Sequence, residues 1–456
     1  MQTLKRQIWI SLSKALSIPG RALIPMLLLA GLCLSSCHTT SSLTTGPVKS
    51  LNKVWNELHL ADEEHVGLSI VDIQSGKKVF GYRDDNYFTP ASTTKILTLY
   101  ASLSMLKEKV EAGRYVIHGD SMIIWGGGDP GTNYPEIDTV SPFVDFIKAT
   151  TKKVFFSNSH FQTERFGKGW AWDDFPYKFQ CERNAFPILG NRIWIDRRND
   201  TIDITPAYLL PVFKFGTDTI TKASKSEWGE GYTYLYNPNL VKDQRQIPIT
   251  FFKNDIQYIW SEATGKTISM TVMPMPAQTL SIEGTKRDTL LKLMMQQSDN
   301  FVAEQLLLAC SFKKLNYMSE EAVIDSLLQG PLKGIPDDIQ WTDGSGLSRY
   351  NQMTPRSIVW VLKQIYDLEG MQYIKSIFPA GGVSGNLKGM YKGKNGLPYI
   401  YAKSGTMRHV NCLSGFLLTR SGKILVFSWM NNQFKDDPAE LQEKMEKLFS
   451  FLCDHY

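Results

Sequence analysis

At 456 residues and 51.7 kDa the chain exceeds one ordinary domain and suits two. Apolar residues at 43% and charged residues at 21% exclude a disordered chain, and 34 Gly and 21 Pro are too few for collagen. The net charge is +5, but the first 36 residues hold four bases (Lys5, Arg6, Lys14, Arg21) and no acid, so the rest carries only +1 and lacks a nucleic-acid-binding footprint.

Those four bases flank and precede an apolar run, Ala22 through Leu34, which ends at Leu34-Ser35-Ser36-Cys37. A bilayer core takes about 20 apolar residues, and this run is shorter and interrupted by Pro25. Residues 1–36 therefore read as a secretory signal. Leu-Ser-Ser-Cys is similar to a bacterial lipobox, in which Cys37 is lipidated and becomes the new N-terminus. The plainer alternative is an ordinary signal cut near Ser36. The lipobox reading predicts an exported protein on the periplasmic side of a bacterial membrane, held by acyl chains at Cys37. Residues 37–50, rich in Ser and Thr, read as a flexible tether.

Helical spacing follows over Lys49–Leu60, with Leu51, Val54, Trp55 and Leu58 on one face. His65–Ile73 and Lys77–Tyr82 predict a hairpin around Gln74-Ser75-Gly76. Thr89-Pro90-Ala91 opens a helix that runs to about Leu106. The next stretch, 111–284, is rich in aromatics, prolines and short β-like runs, such as Ser121–Trp125, Lys153–Ser157, Ile193–Ile195 and Thr267–Val272. Helical spacing returns from Asp288 and again over Phe301–Cys310. Cys412–Leu418 and Lys423–Met430 predict a second hairpin, and Pro438–Phe451 a closing amphipathic helix. The two ends thus share a style that the middle lacks. The simplest arrangement is α+β: an antiparallel sheet flanked by helices, built from 51–110 and 285–456, with 111–284 as a β-rich inserted domain.

Several motifs fail. Gly126–Gly131 matches a dinucleotide fingerprint, but Pro130 and the following residues cannot open the required helix. Gly265-Lys266-Thr267 lacks the earlier glycine of a phosphate loop. Seven histidines include no His-x-x-x-His pair, and Gly-x-Ser-x-Gly is absent, so a helical zinc site and a nucleophile elbow are excluded. Cys181, Cys310, Cys412 and Cys453 fit no zinc spacing and make no disulfide framework.

Ser-x-x-Lys occurs six times and alone means little. Only Ser92 stands at the mouth of a helix, directly after Pro90-Ala91, with Lys95 one turn on. An i, i+3 spacing lets the amine take the hydroxyl proton, and the helix start offers N–H groups to an oxyanion. A capping Ser beside a solvated Lys is the plainer account, and it suits the other sites. Two more elements move the balance: Ser298-Asp299-Asn300 between two helical runs, and Lys403-Ser404-Gly405 after a strand-like approach. Serine β-lactamases and penicillin-binding proteins use this ordered triple.

Further segments sharpen the resemblance: Pro90–Lys95, Gly126–Pro130, Gly169–Asp174, Ser298–Leu306 and Asp343–Arg349. Together they resemble the D-alanyl-D-alanine carboxypeptidase/endopeptidase group of penicillin-binding proteins, peptidase family S13, from about residue 50 to about 435. Members carry a large insert between the first two motifs. Here 206 positions separate Ser92 from Ser298, and 105 separate Ser298 from Lys403. Two departures are Lys-Ser-Gly for the usual Lys-Thr-Gly, which keeps the hydroxyl, and Asn386 where Thr is commoner.

The resemblance implies an acyl-enzyme on Ser92, with peptidoglycan stem peptides as substrates, β-lactams as covalent inhibitors and no metal or organic cofactor. Lys95 would be the base, its pKa lowered by burial and by the charge of Lys403. Ser298 would relay a proton to the leaving amine, and Asn300 would orient Lys95 and the substrate amide. The N–H groups of Ser92 and Thr406 would hold the oxyanion, and Lys403 with Ser404, on the Lys403–Thr406 segment that includes Gly405, would bind the terminal carboxylate. Trp170, Trp172 and Phe179 read as one aromatic cluster, either a small core or, with Arg349 and Met407, a subsite for a diamino-acid side chain. A serine β-lactamase shares the triple, but the long gap and the lack of an evident deacylating Glu count against it. A non-catalytic wall-binding scaffold would lose a motif residue, and none is lost.

Overall fold

The computed structural model describes residues 46–60, 64–137, 141–198, 201–216, 224–225, 233–239, 246–435 and 437–456. In chain order these begin with α1 Gly46–Asn56, β1 His65–Asp72, β2 Lys78–Tyr82, α2 Lys95–Met105, β3 Lys109–His118, β4 Ser121–Gly126, α3 Pro142–Ala149 and β5 Lys153–Ser157. Next come β6 Arg192–Arg198, β7 Thr201–Thr205, β8 Phe213–Phe215, β9 Ser224–Lys225, β10 Tyr234–Tyr236, β11 Gln246–Pro248, α4 Asp255–Thr264, β12 Ile268–Thr271 and β13 Leu280–Lys286. The chain ends with α5 Arg287–Gln297, α6 Asn300–Leu315, α7 Glu320–Gln329, α8 Pro355–Ile377, β14 Ile400–Met407, β15 Val410–Leu418, β16 Ile424–Asn432 and α9 Pro438–His455. Cys37, the expected signal and most of the tether lie outside the described residues. Gly46–Ser50, expected as tether, belongs to α1.

The first sheet has the order β14-β15-β16-β1-β2 and is antiparallel throughout. Its central pair, β1 with β16, joins the two ends of the chain in register from His65↔Asn432 to Asp72↔Leu425. Both faces are covered, which explains why these strands read as nearly continuous apolar runs. Leu68, Ile70, Phe427 and Trp429 pack on one face with Leu51 of α1 and Leu441, Met445, Leu448, Phe449 and Leu452 of α9. The spacing of those five residues puts them on one stripe of α9. Asp437 caps that helix by accepting from the Ala439 N–H at 2.9 Å. On the other face Phe416, Val426 and Met430 meet α2, α5, α6 and α8.

The second five-stranded sheet, β12-β5-β4-β3-β13, lies within residues 109–286. Its β4–β5 and β5–β12 pairs are parallel and its β3–β4 and β3–β13 pairs antiparallel. Parallel neighbours need crossovers, and α3 supplies the one between β4 and β5. The β-rich stretch thus also holds α3 and α4, which the sequence reading left out. Phe156 stacks on Phe186 at 4.0 Å, and Trp260 of α4 meets Phe156 edge-on at 5.2 Å. Two small sheets, β11-β6-β7 and β8-β10-β9, complete this region. Helix α6 joins the two cores: Phe301, Val302, Leu306 and Leu307 reach the first, while Leu308 and Phe312 reach the second. A helix between two cores must be apolar nearly all round, and Asn300–Phe312 is buried throughout. Gly46–Tyr456 form one compact unit.

Candidate active site

A short 3₁₀ turn, Ala91–Thr94, precedes α2. The Thr93 and Thr94 hydroxyls donate to the carbonyls of Pro90 and Ala91 at 2.7 and 2.9 Å, which fixes the turn. Ser92 is half-buried at this turn, and Lys95, one turn on, is fully buried. Its Nζ donates to Ser92 Oγ at 3.0 Å, to Asn300 Oδ1 at 2.6 Å and to the Ser345 carbonyl at 2.6 Å. All three ammonium hydrogens are therefore used, and the nucleophile receives one of them.

Ser298 interrupts the helical run between α5 and α6, with φ of 58° in the left-handed region. Asp299 then caps α6 by accepting from the Val302 N–H at 3.0 Å. This break turns Ser298 towards β14, where Lys403 Nζ donates to its Oγ at 2.8 Å. Asn300, the first residue of α6, donates from Nδ2 to the Phe179 carbonyl at 3.0 Å, so the inserted region touches the site through main chain.

Strand β14 closes the other side. A Cβ on Gly405 would lie 2.6 Å from the Pro90 carbonyl oxygen and 3.0 Å from the Ser92 nitrogen, so only glycine lets the strand approach the nucleophile this closely. On the outer edge of β14, the Ala402 N–H donates to the Pro379 carbonyl and the Ile400 carbonyl accepts from Gly381. Alternation puts Ser404 and Thr406 on that same edge, turned away from β15. The Ser404 carbonyl is there, accepting from Lys403 Nζ at 2.7 Å. Ser404 is half-buried and Thr406 exposed. The structure thus brings together Ser92, Lys95, Ser298, Asn300, Lys403 and the Lys403–Thr406 edge.

A protein-family model described as the D-Ala-D-Ala carboxypeptidase 3 (S13) family matches residues 49–452. The chain belongs to this family. The D-alanyl-D-alanine carboxypeptidase DacB of Haemophilus influenzae is 23% identical over 443 residues, spanning 86% of this chain and 90% of the relative. The crystal structure of penicillin binding protein 4 (dacB) from Haemophilus influenzae shares the fold, with TM-score 0.68 at 20% identity over 90% of this chain and 100% of that one. The same protein complexed with a β-lactam gives 0.64 at 18% identity, again over 90% and 100%.

Electrostatics in this S13 peptidase differ from the sequence expectation in one respect. Burial lowers Lys95 to about 8, against the pull of Asp343, Glu304 and Asp299, which favour its charge. The expected help from Lys403 does not enter. Instead burial, and then the charge of Lys95, push Lys403 well below the usual lysine range. Three acids crowd Lys95, whereas the neighbour that counts for Lys403 is another ammonium, and no motif spacing encodes that difference.

The aromatic residues of this stretch differ in exposure. Trp170 donates from Nε1 to Asp343 at 2.9 Å and lies under Arg183, a structural placement. Trp172, 66% exposed, stacks on Phe175, and Phe179 stacks on Tyr177. Phe166 bridges Phe175 and Trp170, so Trp172 and Trp170 belong to one aromatic cluster. The Arg349 N–H donates to the Gly169 carbonyl at 3.1 Å. Its charge opposes the burial and the Asp173 repulsion that raise the Asp174 carboxyl, so Arg349 faces the Trp172 turn. Met407, half-buried, packs against the central core at the end of β14. The four cysteines that the structure describes are all free, and burial pushes Cys310 and Cys412 up to about 12.

Sequence reasoning missed Ser345, whose contribution is a main-chain carbonyl. It also missed the hold on that loop: Thr98 donates to the Gly344 carbonyl at 2.6 Å, and Gly346 has φ of 85° with a Cβ position 1.9 Å from the Ala91 carbonyl oxygen. Asp343-Gly344-Ser345-Gly346 was visible as a motif segment, but its residue types do not reveal which backbone atom works.

Proposed function

We propose that this peptidase cleaves the bond after the first D-alanine of D-Ala-D-Ala peptides or cross-links through an acyl-enzyme on Ser92, and that penicillin acylates the same atom. The observation that carries the reading is the Lys95 Nζ contact with Ser92 Oγ at 3.0 Å, with Lys95 fixed by Asn300 and Ser345.

Before substrate binds, Lys95, lowered to about 8, is neutral in about a tenth of molecules at pH 7. A substrate carboxylate beside Lys403 and Ser404 draws a proton onto Lys403. That added charge disfavours the ammonium of Lys95 and leaves it the neutral base. Ser92 Oγ then attacks the carbonyl carbon as its proton passes to Lys95 Nζ. The N–H groups of Ser92 and Thr406 receive the oxyanion, each donor being worth about 10²–10³ in rate. The C–N bond breaks as the amine takes a proton through Ser298, and water then hydrolyses the ester. Trp172, Phe179, Arg349 and Met407 line the approach as a subsite for a diamino-acid side chain of the stem peptide.

The test is fluorescent penicillin with wild type and Ser92→Ala, alongside digestion of a peptide ending in D-Ala-D-Ala. Lasting label on a Ser92 peptide, with label and released D-alanine both lost in the variant, is expected; label on another serine or rapid turnover of the drug counts against the reading. The export signal and Leu34–Cys37 support the further proposal of a lipid anchor on the periplasmic side of a bacterial membrane. Cys37→Ser should shift the protein out of the membrane fraction or block its processing.

A further inference from the structure

Lys95 rests on the Ser345 carbonyl, and what holds that carbonyl lies one layer further out. The Ser345 N–H donates to Glu304 Oε1 at 2.8 Å. Glu304 follows Asn300 by four residues on α6, so both reach towards Lys95 from one helix face. Its other oxygen, Oε2, pairs with Arg183 Nη1 at 3.2 Å, with both side chains at most 1% exposed. Arg183 is anchored in turn by Glu320 at 3.1 Å and by the Glu164 carbonyl at 2.9 Å. A run of contacts therefore leads from the inserted region to the general base: Arg183, Glu304, Ser345, Lys95.

We propose that Glu304, clamped by Arg183, is a positioning residue for the base: it fixes the Ser345 carbonyl to which Lys95 Nζ donates and keeps a negative charge beside that ammonium. The charged groups facing Glu304 are Arg183 from the inserted region, Glu320 at the start of α7, Asp343 from the loop and Lys95 from α2. Burial and Asp343 raise the Glu304 carboxyl to about 7, while Arg183 and the Ser345 side chain pull it down. Glu304 in turn favours the charged form of Lys95. The carboxylate thus has two separable effects. Its reach places the carbonyl, and its charge, present above about pH 7 and so before Lys95 titrates near 8, sets the pH at which Lys95 becomes a base.

The inference rests on Lys95 being that base, and the experiment keeps the two apart. Penicillin acylation of the full chain is measured from pH 5.5 to 9.5. For wild type the rate rises with pH, because the neutral amine is the reactive form, with a midpoint near 8 and a plateau above it. A wild type without that inflection sinks the base assignment itself. In Glu304→Gln one anion beside Lys95 is lost, the ammonium is less favoured, and the midpoint moves down by about half a unit to one unit. Arg183 keeps Glu320, so this variant retains a paired cation. In Glu304→Asp the charge stays but reaches one methylene less, so the midpoint stays near that of wild type and the plateau falls about tenfold. A merely structural Glu304 would lower thermal stability and leave the midpoint in place. An unmoved midpoint in Glu304→Gln, or a full wild-type plateau in Glu304→Asp, overturns the proposal. If Glu304→Gln fails to fold, the Glu304→Asp plateau decides.

Discussion

The sheet β14-β15-β16-β1-β2 draws strands from both chain ends and is antiparallel throughout, whereas β12-β5-β4-β3-β13 comes from residues 109–286 alone and mixes both pairings. Around the first stand the side chains of the site: Ser92 and Lys95 before and on α2, Ser298 and Asn300 at the start of α6, Lys403 on β14. The inserted region brings to the same place a main-chain carbonyl, Phe179, and two buried cations, Arg183 and Arg192. One region carries the reacting groups and the other clamps the helix that presents two of them. The division has a physical reason. Side chains that transfer protons must sit within a few tenths of an ångström, and α6, gripped from both cores, is the element both regions hold.

The largest effect should come from breaking a clamp. Arg192 Nη1 lies 3.1 Å from Asp299 Oδ2, and Tyr134 donates to the same oxygen at 2.5 Å. Burial alone would raise the Asp299 carboxyl, but Arg192, Tyr134 and the Val302 N–H outweigh it and hold it below its usual value. Arg192→Met should cost about 3–5 kcal/mol, since removing one partner leaves a buried charge uncompensated. Urea unfolding measures this, and a loss under about 1 kcal/mol, the worth of a surface pair, would break the idea that the inserted region grips α6 through Asp299.

Next in size is a change on the reactive side. Gly405→Ala puts a Cβ 2.6 Å from the Pro90 carbonyl oxygen and 2.9 Å from the Thr93 nitrogen, both backbone atoms that cannot swing aside. Strand β14 must retreat from the Ser92 turn, and the Thr406 N–H goes with it. Penicillin acylation should slow by about 10²-fold, the effect of losing one oxyanion donor. Acylation at the wild-type rate would show that the close approach does not matter to the chemistry.

These contrasts also explain what was legible in the sequence. Both hairpins, the closing helix and the strand Lys153–Ser157 were legible, because turn chemistry and apolar spacing are local. The ordered triple at Ser92, Ser298 and Lys403 was legible because proton transfer demands particular side chains. Helices α3 and α4 were missed: at eight and ten residues among aromatic β-like runs, their periods are too short to stand out. Ser345 was missed because every residue has a carbonyl, and the acids around Lys95 because they converge from α6 and two loops. Arg183 and Arg192, two arginines in a stretch without a motif, show their role only when paired.

The smallest effect tests whether Trp172 offers its side chain to the cleft. Trp172 is 66% exposed and stacks on Phe175, so truncation removes little buried surface, and Trp172→Ala should change stability by less than about 1 kcal/mol. A methylene stem laid along the indole would bury roughly 50 Å² of apolar surface, worth about 1.3 kcal/mol or tenfold in rate. Arg349, which faces the same turn, would meet a carboxylate at the end of that stem. Hydrolysis of a wall-derived peptide carrying the diamino acid should therefore slow about tenfold, because remote contacts help position the scissile bond. A small penicillin lacks the side chain, and its acylation of Ser92 should fall less than about twofold on the same reasoning. Equal losses on both compounds would mean that Trp172 acts on the reacting groups, and a marked drop in melting temperature that it is core. Either result would leave the inserted region as a clamp alone.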